Sequence, residues 1–182
     1  MGEIDTIESH IERLVCLVRN ATLRRVLHET DPDPQLNFWR VTYGNLTDMT
    51  VIEWCKTFGN DNEDNHWKNL VSDPISFRSG MLEQLDIDRA EWDAYWQEMK
   101  TYRDNVAAHA SNKPEISHYP SFDIALKSAF LYYDYLINRL RELGFDREPN
   151  DLRSYVQNFE AQAKVVAQAA LKATANIRER VY

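Results

Sequence analysis

An all-α fold, a compact helical bundle forming one domain over residues 1–182, follows from three features of the sequence. Apolar residues recur at helical spacing over long stretches, alternating strand patterns and internal repeats are absent, and the 5 Gly and 6 Pro fall at a few points between those stretches. Aromatics are plentiful, with 5 Trp, 9 Tyr and 7 Phe, enough to fill a sizeable core in a chain of 182 residues.

Ile4, Ile7, Ile11, Leu14, Leu17, Val18 and Ala21, then Val26 and Leu27, share helical spacing over residues 4–28, and the breaker DPDP ends that helix. A second helix is expected over residues 35–58, carrying Phe38, Trp39, Leu46, Val51, Ile52 and Trp54, with Gly44 as a point of interruption and Gly59 as its stop. The polar run NDNEDN is a loop and HWKNLV a short turn or the edge of the next element. Pro74 suits the first turn of a helix reaching about Gln84, and Asp86 or Asp88 can cap the helix that follows over residues 89–110. Ser121 is placed to cap a long aromatic helix ending at Gly144, and Asp151 an Ala-rich helix toward the C-terminus.

Charge and cysteine usage narrow the function classes. The net charge is −8, but Asp48–Glu98 holds twelve acidic and four basic residues, whereas Met99 onward holds twelve basic and ten acidic. A broad DNA-binding footprint is therefore not expected, while a modest cationic site in the second half is compatible with the sequence. Cys16 and Cys55 stand apart, without the spacing of a zinc site or a disulfide framework. The start MGEIDTIESH is acidic where a secretory leader would be basic, and no apolar run approaches the length of a membrane span. The expectation is a cytoplasmic protein with no membrane partner, no metal and no cofactor.

The stretch YRDNVAAH, residues 102–109, carries the most informative chemistry. On the helix expected there, Trp92, Met99 and Val106 form one heptad row and Tyr95, Tyr102 and His109 the next, with Trp96 and Arg103 alongside. Arg103 and His109 are six residues apart, a rise of about 9 Å and an angular offset of about 120° on an ideal helix. Stacking along the helix does not bring them together, but Arg is long enough to bend toward the His. Ala107, Ala108 and Ala110 keep the neighbouring surface low, so that a second helix or a second copy of the chain can approach. The same residues also have a purely structural reading: a His that stabilises a helix C-terminus, and an Arg in a surface ion pair with Asp104.

An Arg, a polar residue and then a His within a few positions, near the end of a helix in an all-α domain, resembles the motif of the HEPN superfamily. Here these are Arg103, Asp104 and His109. The YRD…AH wording, followed by a Pro-containing loop and an aromatic helix, is similar to the abortive-infection branch of that superfamily. The segment WCKTFGNDNEDNHWKN adds to the resemblance, which spans about Glu53 to Leu140. It implies a HEPN-like helical bundle and metal-independent RNA cleavage, in which the ribose 2′-hydroxyl attacks the adjacent phosphate. In that reading His109 transfers protons and Arg103 holds the phosphate, while Asp104 orients Arg103 and Asn105 adds a hydrogen bond. The resemblance further implies a homodimer with the cleft between protomers, RNA as partner, and a toxin or phage-defence role with an antitoxin protein. The rival is a non-catalytic helical module, binding RNA or protein, since the superfamily includes such members and fold does not determine activity.

Other residue patterns are less telling. Glu115 and His118 have the ExxH spacing of a di-iron bundle, but Pro114 and Pro120 flank them and no second ExxH follows. Lys113 and His118 fit either the solvated loop after the motif or contacts to RNA. His10 and His28, on the first helix, read as surface residues without partners. Trp54, Trp67, Phe130, Tyr132, Tyr133 and Tyr135 have the chemistry to stack on bases, although a core or dimer face accounts for most of them.

Overall fold

The computed structural model describes residues 2–107 and 119–178. Within them the chain forms α1 (Glu3–Thr30), α2 (Asn37–Phe58), α3 (Pro74–Leu85), α4 (Arg89–Tyr102), α5 (Asp123–Glu142) and α6 (Leu152–Thr174). A 3-10 turn lies at Trp67–Asn69 and a π turn at Arg103–Ala107, and there is no strand among the described residues. Among these helices, none is long and apolar enough to cross a membrane.

The ends of the helices follow the capping residues. Asp73 accepts from the amides of Ile75 and Ser76 ahead of Pro74, which needs no amide there. Asp88 and Glu91 form a reciprocal capping box on α4, and Asp151 accepts from the amides of Arg153 and Ser154. Asp86 instead ends α3 in the left-handed region, at φ 56°. At the end of α5, Gly144 takes φ +83°, and the Phe145 amide returns to the Leu140 carbonyl at 3.0 Å, closing a Schellman turn. Ser121 does not cap α5 as expected. The helix begins one residue later, at Asp123, with Phe122 at the cap position, and Ser121 Oγ reaches the Asp123 amide only at 3.4 Å.

One core joins all six helices, with Met81 and Leu85 entering it from α3 and Leu152 and Val156 from α6. Trp54 of α2 is fully buried, its ring 5.8 Å from Trp92 and 5.4 Å from Tyr95, and Phe58 stacks beside it. Such aromatic pairs add about 0.5–1.5 kcal/mol each beyond the area they bury. Trp54 Nε1 donates to Ser128 Oγ at 3.2 Å, so the one polar atom of the ring is satisfied on α5. Trp92, Tyr95, Met99 and Tyr102 of α4 are all buried, which places the expected apolar row against α2. The Val106 side chain, next in that row, falls outside the described part. A second, smaller cluster joins Val26 and Leu27 of α1, Trp39 and Tyr43 of α2, and Ala163 and Ala167 of α6.

Gly44 does not interrupt α2, which runs through it, whereas Gly59 stops the helix as expected. A Cβ on Gly59 would sit 2.3 Å from the Cys55 carbonyl oxygen, far inside contact distance. The Gly59 carbonyl also accepts from Trp96 Nε1 at 2.7 Å, tying the end of α2 to α4. Gly59→Ala is therefore expected to destabilise the protein by about 1–3 kcal/mol, the range for overpacking against rigid neighbours. A urea unfolding curve with an unchanged midpoint would contradict that account.

His10 corrects the surface reading. It lies between Ile7 and Leu14 on the apolar row of α1 and is 1% exposed, with Nδ1 2.9 Å from the Tyr132 hydroxyl on α5. Burial, with Arg13 and His66 nearby, holds its pKa down at about 4. His66, before the 3-10 turn, is equally buried, and burial also lowers its pKa to about 4 in spite of the attraction of Asp61. His28 is exposed, as expected.

Candidate functional site around Arg103

The α4 helix delivers Arg103 to its end because the four aromatic and Met side chains before it are locked into the core. Two hydrogen bonds tie the second half of α4 to α2 and its end: Trp96 to the Gly59 carbonyl, and the Tyr102 hydroxyl to Asp48 Oδ1 of α2 at 2.7 Å. Burial, reinforced by the Asp48 acceptor, pushes the Tyr102 pKa well above its ordinary value. From Arg103 the backbone changes from α to π geometry, where the expectation was continuous α-helix. π turns are rare and gather at functional sites, because they re-aim side chains that an α-helix would carry elsewhere.

The Arg103 side chain is 23% exposed, and its Nε and Nη2 both donate to Asp104 Oδ1, at 2.8 and 2.7 Å. The carboxylate thus grips one edge of the guanidinium. Asp104 itself is half-exposed and Asn105 exposed. Cys55 of α2 lies behind the turn, and burial pushes its thiol up to about 12, with Arg103 partly opposing and Asp104 reinforcing the shift. That thiol is no nucleophile at cellular pH. Cys16, also free, has its pKa raised mainly by burial.

His109, Lys113 and His118 lie outside the described residues, as do Glu115 and the helix end at Ala110. The described residues on either side nevertheless meet, with the Tyr102 and Tyr119 rings 6.1 Å apart. Arg24 of α1, which the sequence reading passed over, joins them there. Its guanidinium lies over the Tyr43 ring at 4.9 Å and the Tyr119 ring at 6.0 Å, and its Nε donates to Thr47 Oγ1 at 3.2 Å. Burial lowers the Arg24 pKa while the tyrosines oppose that shift. An open cavity of about 240 Å³ adjoins it, lined also by Arg25, His28, Tyr119 and Phe122. The signal for Arg24 was a cation within the apolar stretch from Ala21 to Leu27, which periodicity alone gives no reason to single out.

Of the aromatics considered for stacking, Trp54, Trp67, Tyr132 and Tyr133 are buried in the core, and Phe130 and Tyr135 are partly buried against it. No group of three His, Cys, Asp or Glu side chains able to hold a metal occurs among the described residues. The geometry defines an all-α protein with a clamped arginine at the turn that opens the YRDNVAAH motif. Comparisons with protein-family models, curated proteins and solved structures return no match.

Proposed function

We propose that the chain is a HEPN-like, metal-independent endoribonuclease of the toxin or phage-defence kind, working as a homodimer with Arg103 and His109 at the cleft. The observation that carries the reading is the clamped Arg103. Among the described residues its acceptor is Asp104, on one edge of the guanidinium, and the other edge is the one that would receive a phosphate oxygen. His109 supplies proton transfer, as base toward the 2′-hydroxyl and acid toward the leaving 5′-oxygen. Arg24 adds a second cation beside the same stretch of chain, and two guanidiniums suit a phosphate whose charge builds in the transition state. Asn105, Lys113 and His118 contact the RNA around it. The partner antitoxin and the RNA target belong to the same proposal.

Attack by the 2′-hydroxyl predicts the products: one fragment ending in a 2′,3′-cyclic phosphate and the other beginning with a 5′-hydroxyl, formed in the presence of EDTA. End-group analysis of digested RNA reads this directly. Fragments with 3′-hydroxyl and 5′-phosphate ends, or cutting that EDTA abolishes, would refute the mechanism. The Arg103–Asp104 pair is also what a non-catalytic binding module would use, with the arginine neutralised for a protein contact, and that reading takes over if varied RNAs are left uncut.

A further inference from the structure

A second cavity, of about 320 Å³, lies away from the π turn, between the loop after α2, the 3-10 turn, α3 and the start of α4. This is within the size range of small-molecule sites, about 300–1,000 Å³. Its walls are aromatic, with Phe58, Trp67, Trp92 and Trp96, and two guanidiniums face it, Arg78 of α3 and Arg89 of α4. It lies in the most acidic part of the chain, where Asp48–Glu98 holds four basic residues. Three of them are paired: Lys56 with Glu53, Lys68 with Asp61, and Arg89 with Asp93 through both carboxylate oxygens at 2.9 Å.

Arg78 differs. It has no ion pair among the described residues, and its Nε is shielded from solvent without an acceptor. Its guanidinium lies over the Trp67 ring at 5.4 Å. Burial and the neighbouring Arg89 both disfavour its charge, while Asp61 and Asp93 act on it only from a distance. Since those two carboxylates are engaged by Lys68 and Arg89, Arg78 is the lining cation left without a direct counter-ion among the described residues, a planar group beside flat aromatic walls.

We propose that this cavity is a binding site for a small monocarboxylate carried on a flat ring, with the carboxylate on Arg78 and the ring against Trp96. A carboxylate matches the fork of a guanidinium and balances the charge of Arg78. A phosphate monoester, with a charge of about −1.5 to −2, would overshoot it amid surrounding acidic residues. The site is independent of the ribonuclease reading, and no residue of the Arg103 turn lines it.

The test is a titration of the full chain with benzoate, phenyl phosphate and benzyl alcohol, followed by tryptophan fluorescence, since three of the 5 Trp line the cavity. Benzoate is expected to give a saturable change, with phenyl phosphate weaker and benzyl alcohol at least about tenfold weaker, as befits loss of a charge-assisted hydrogen bond. Arg78→Met, which keeps the stem over Trp67 but not the charge, should lose benzoate affinity by about the same factor. Arg78→Lys, which keeps the charge without the fork, should bind at an intermediate level and serves if Arg78→Met does not fold. Absence of a saturable benzoate response into the millimolar range would overturn the proposal. So would equal binding of benzoate and benzyl alcohol, tighter binding of phenyl phosphate, or benzoate affinity unchanged in either Arg78 variant.

Discussion

His109→Ala is expected to slow RNA cleavage by about 10²- to 10⁴-fold while leaving most of the RNA affinity in place. The loss is confined to the rate because proton transfer matters only as the 2′-oxygen attacks and the 5′-oxygen leaves. Arg103→Ala should behave differently and weaken both binding and cleavage, since a guanidinium on a phosphate acts in the ground state as well as in the transition state. The Asp104 clamp sharpens the contrast. With Nε and Nη2 already held, the arginine is oriented before RNA arrives, and little is lost in ordering it. Asp104→Ala should therefore retain the charge but lower the rate, less than Arg103→Ala does. Binding measured by filter retention and cleavage measured at saturating protein separate these effects. Equal losses of affinity in His109→Ala and Arg103→Ala would show that the two residues do not have different jobs.

The second large effect concerns acid. His10 and His66 are both 1% exposed, and burial holds each near 4, below an unfolded value of about 6.5. A base whose folded pKa is lowered takes up protons more readily when unfolded. The stability linked to these histidines is therefore fully present above about pH 6.5 and is lost progressively as pH falls toward 4. For a shift of this size the loss is on the order of 3 kcal/mol per histidine, and the nearness of the two rings couples their titrations. Urea unfolding between pH 7 and pH 4 should show the decline. His10→Gln, which cannot titrate but offers Tyr132 a hydrogen-bond partner, should flatten part of it. An identical pH dependence in wild type and His10→Gln would remove His10 from the account.

The helical architecture was legible because its determinants are local. The row Trp92, Tyr95, Met99, Tyr102 reads as one buried face, and Pro74, the Asp88–Glu91 capping box and Asp151 mark where helices start. The departures depend on contacts between distant parts of the chain. His10 is buried because Tyr132, 122 residues away, meets its ring. Arg24 is held where it is because Tyr43 and Tyr119 converge on it from α2 and from the segment before α5. The π turn at Arg103 left no trace in the pattern of apolar residues, since the buried row before it is the same for an α-helix that continues. Arg78 carries no signal in the sequence, because it is set apart only by the pairing of Asp61 with Lys68 and of Asp93 with Arg89 in the folded chain.

The central proposal is that Arg103 and His109 act on one RNA phosphate without metal. Its most direct measurement is cleavage, in EDTA, of one RNA strand and of the same strand with 2′-deoxyribose at the cut position, by wild type and by His109→Ala. The account predicts that only wild type cuts at an appreciable rate, and only the all-ribose strand. Cutting of the deoxy-substituted strand at that position, or undiminished cutting by His109→Ala, would contradict it.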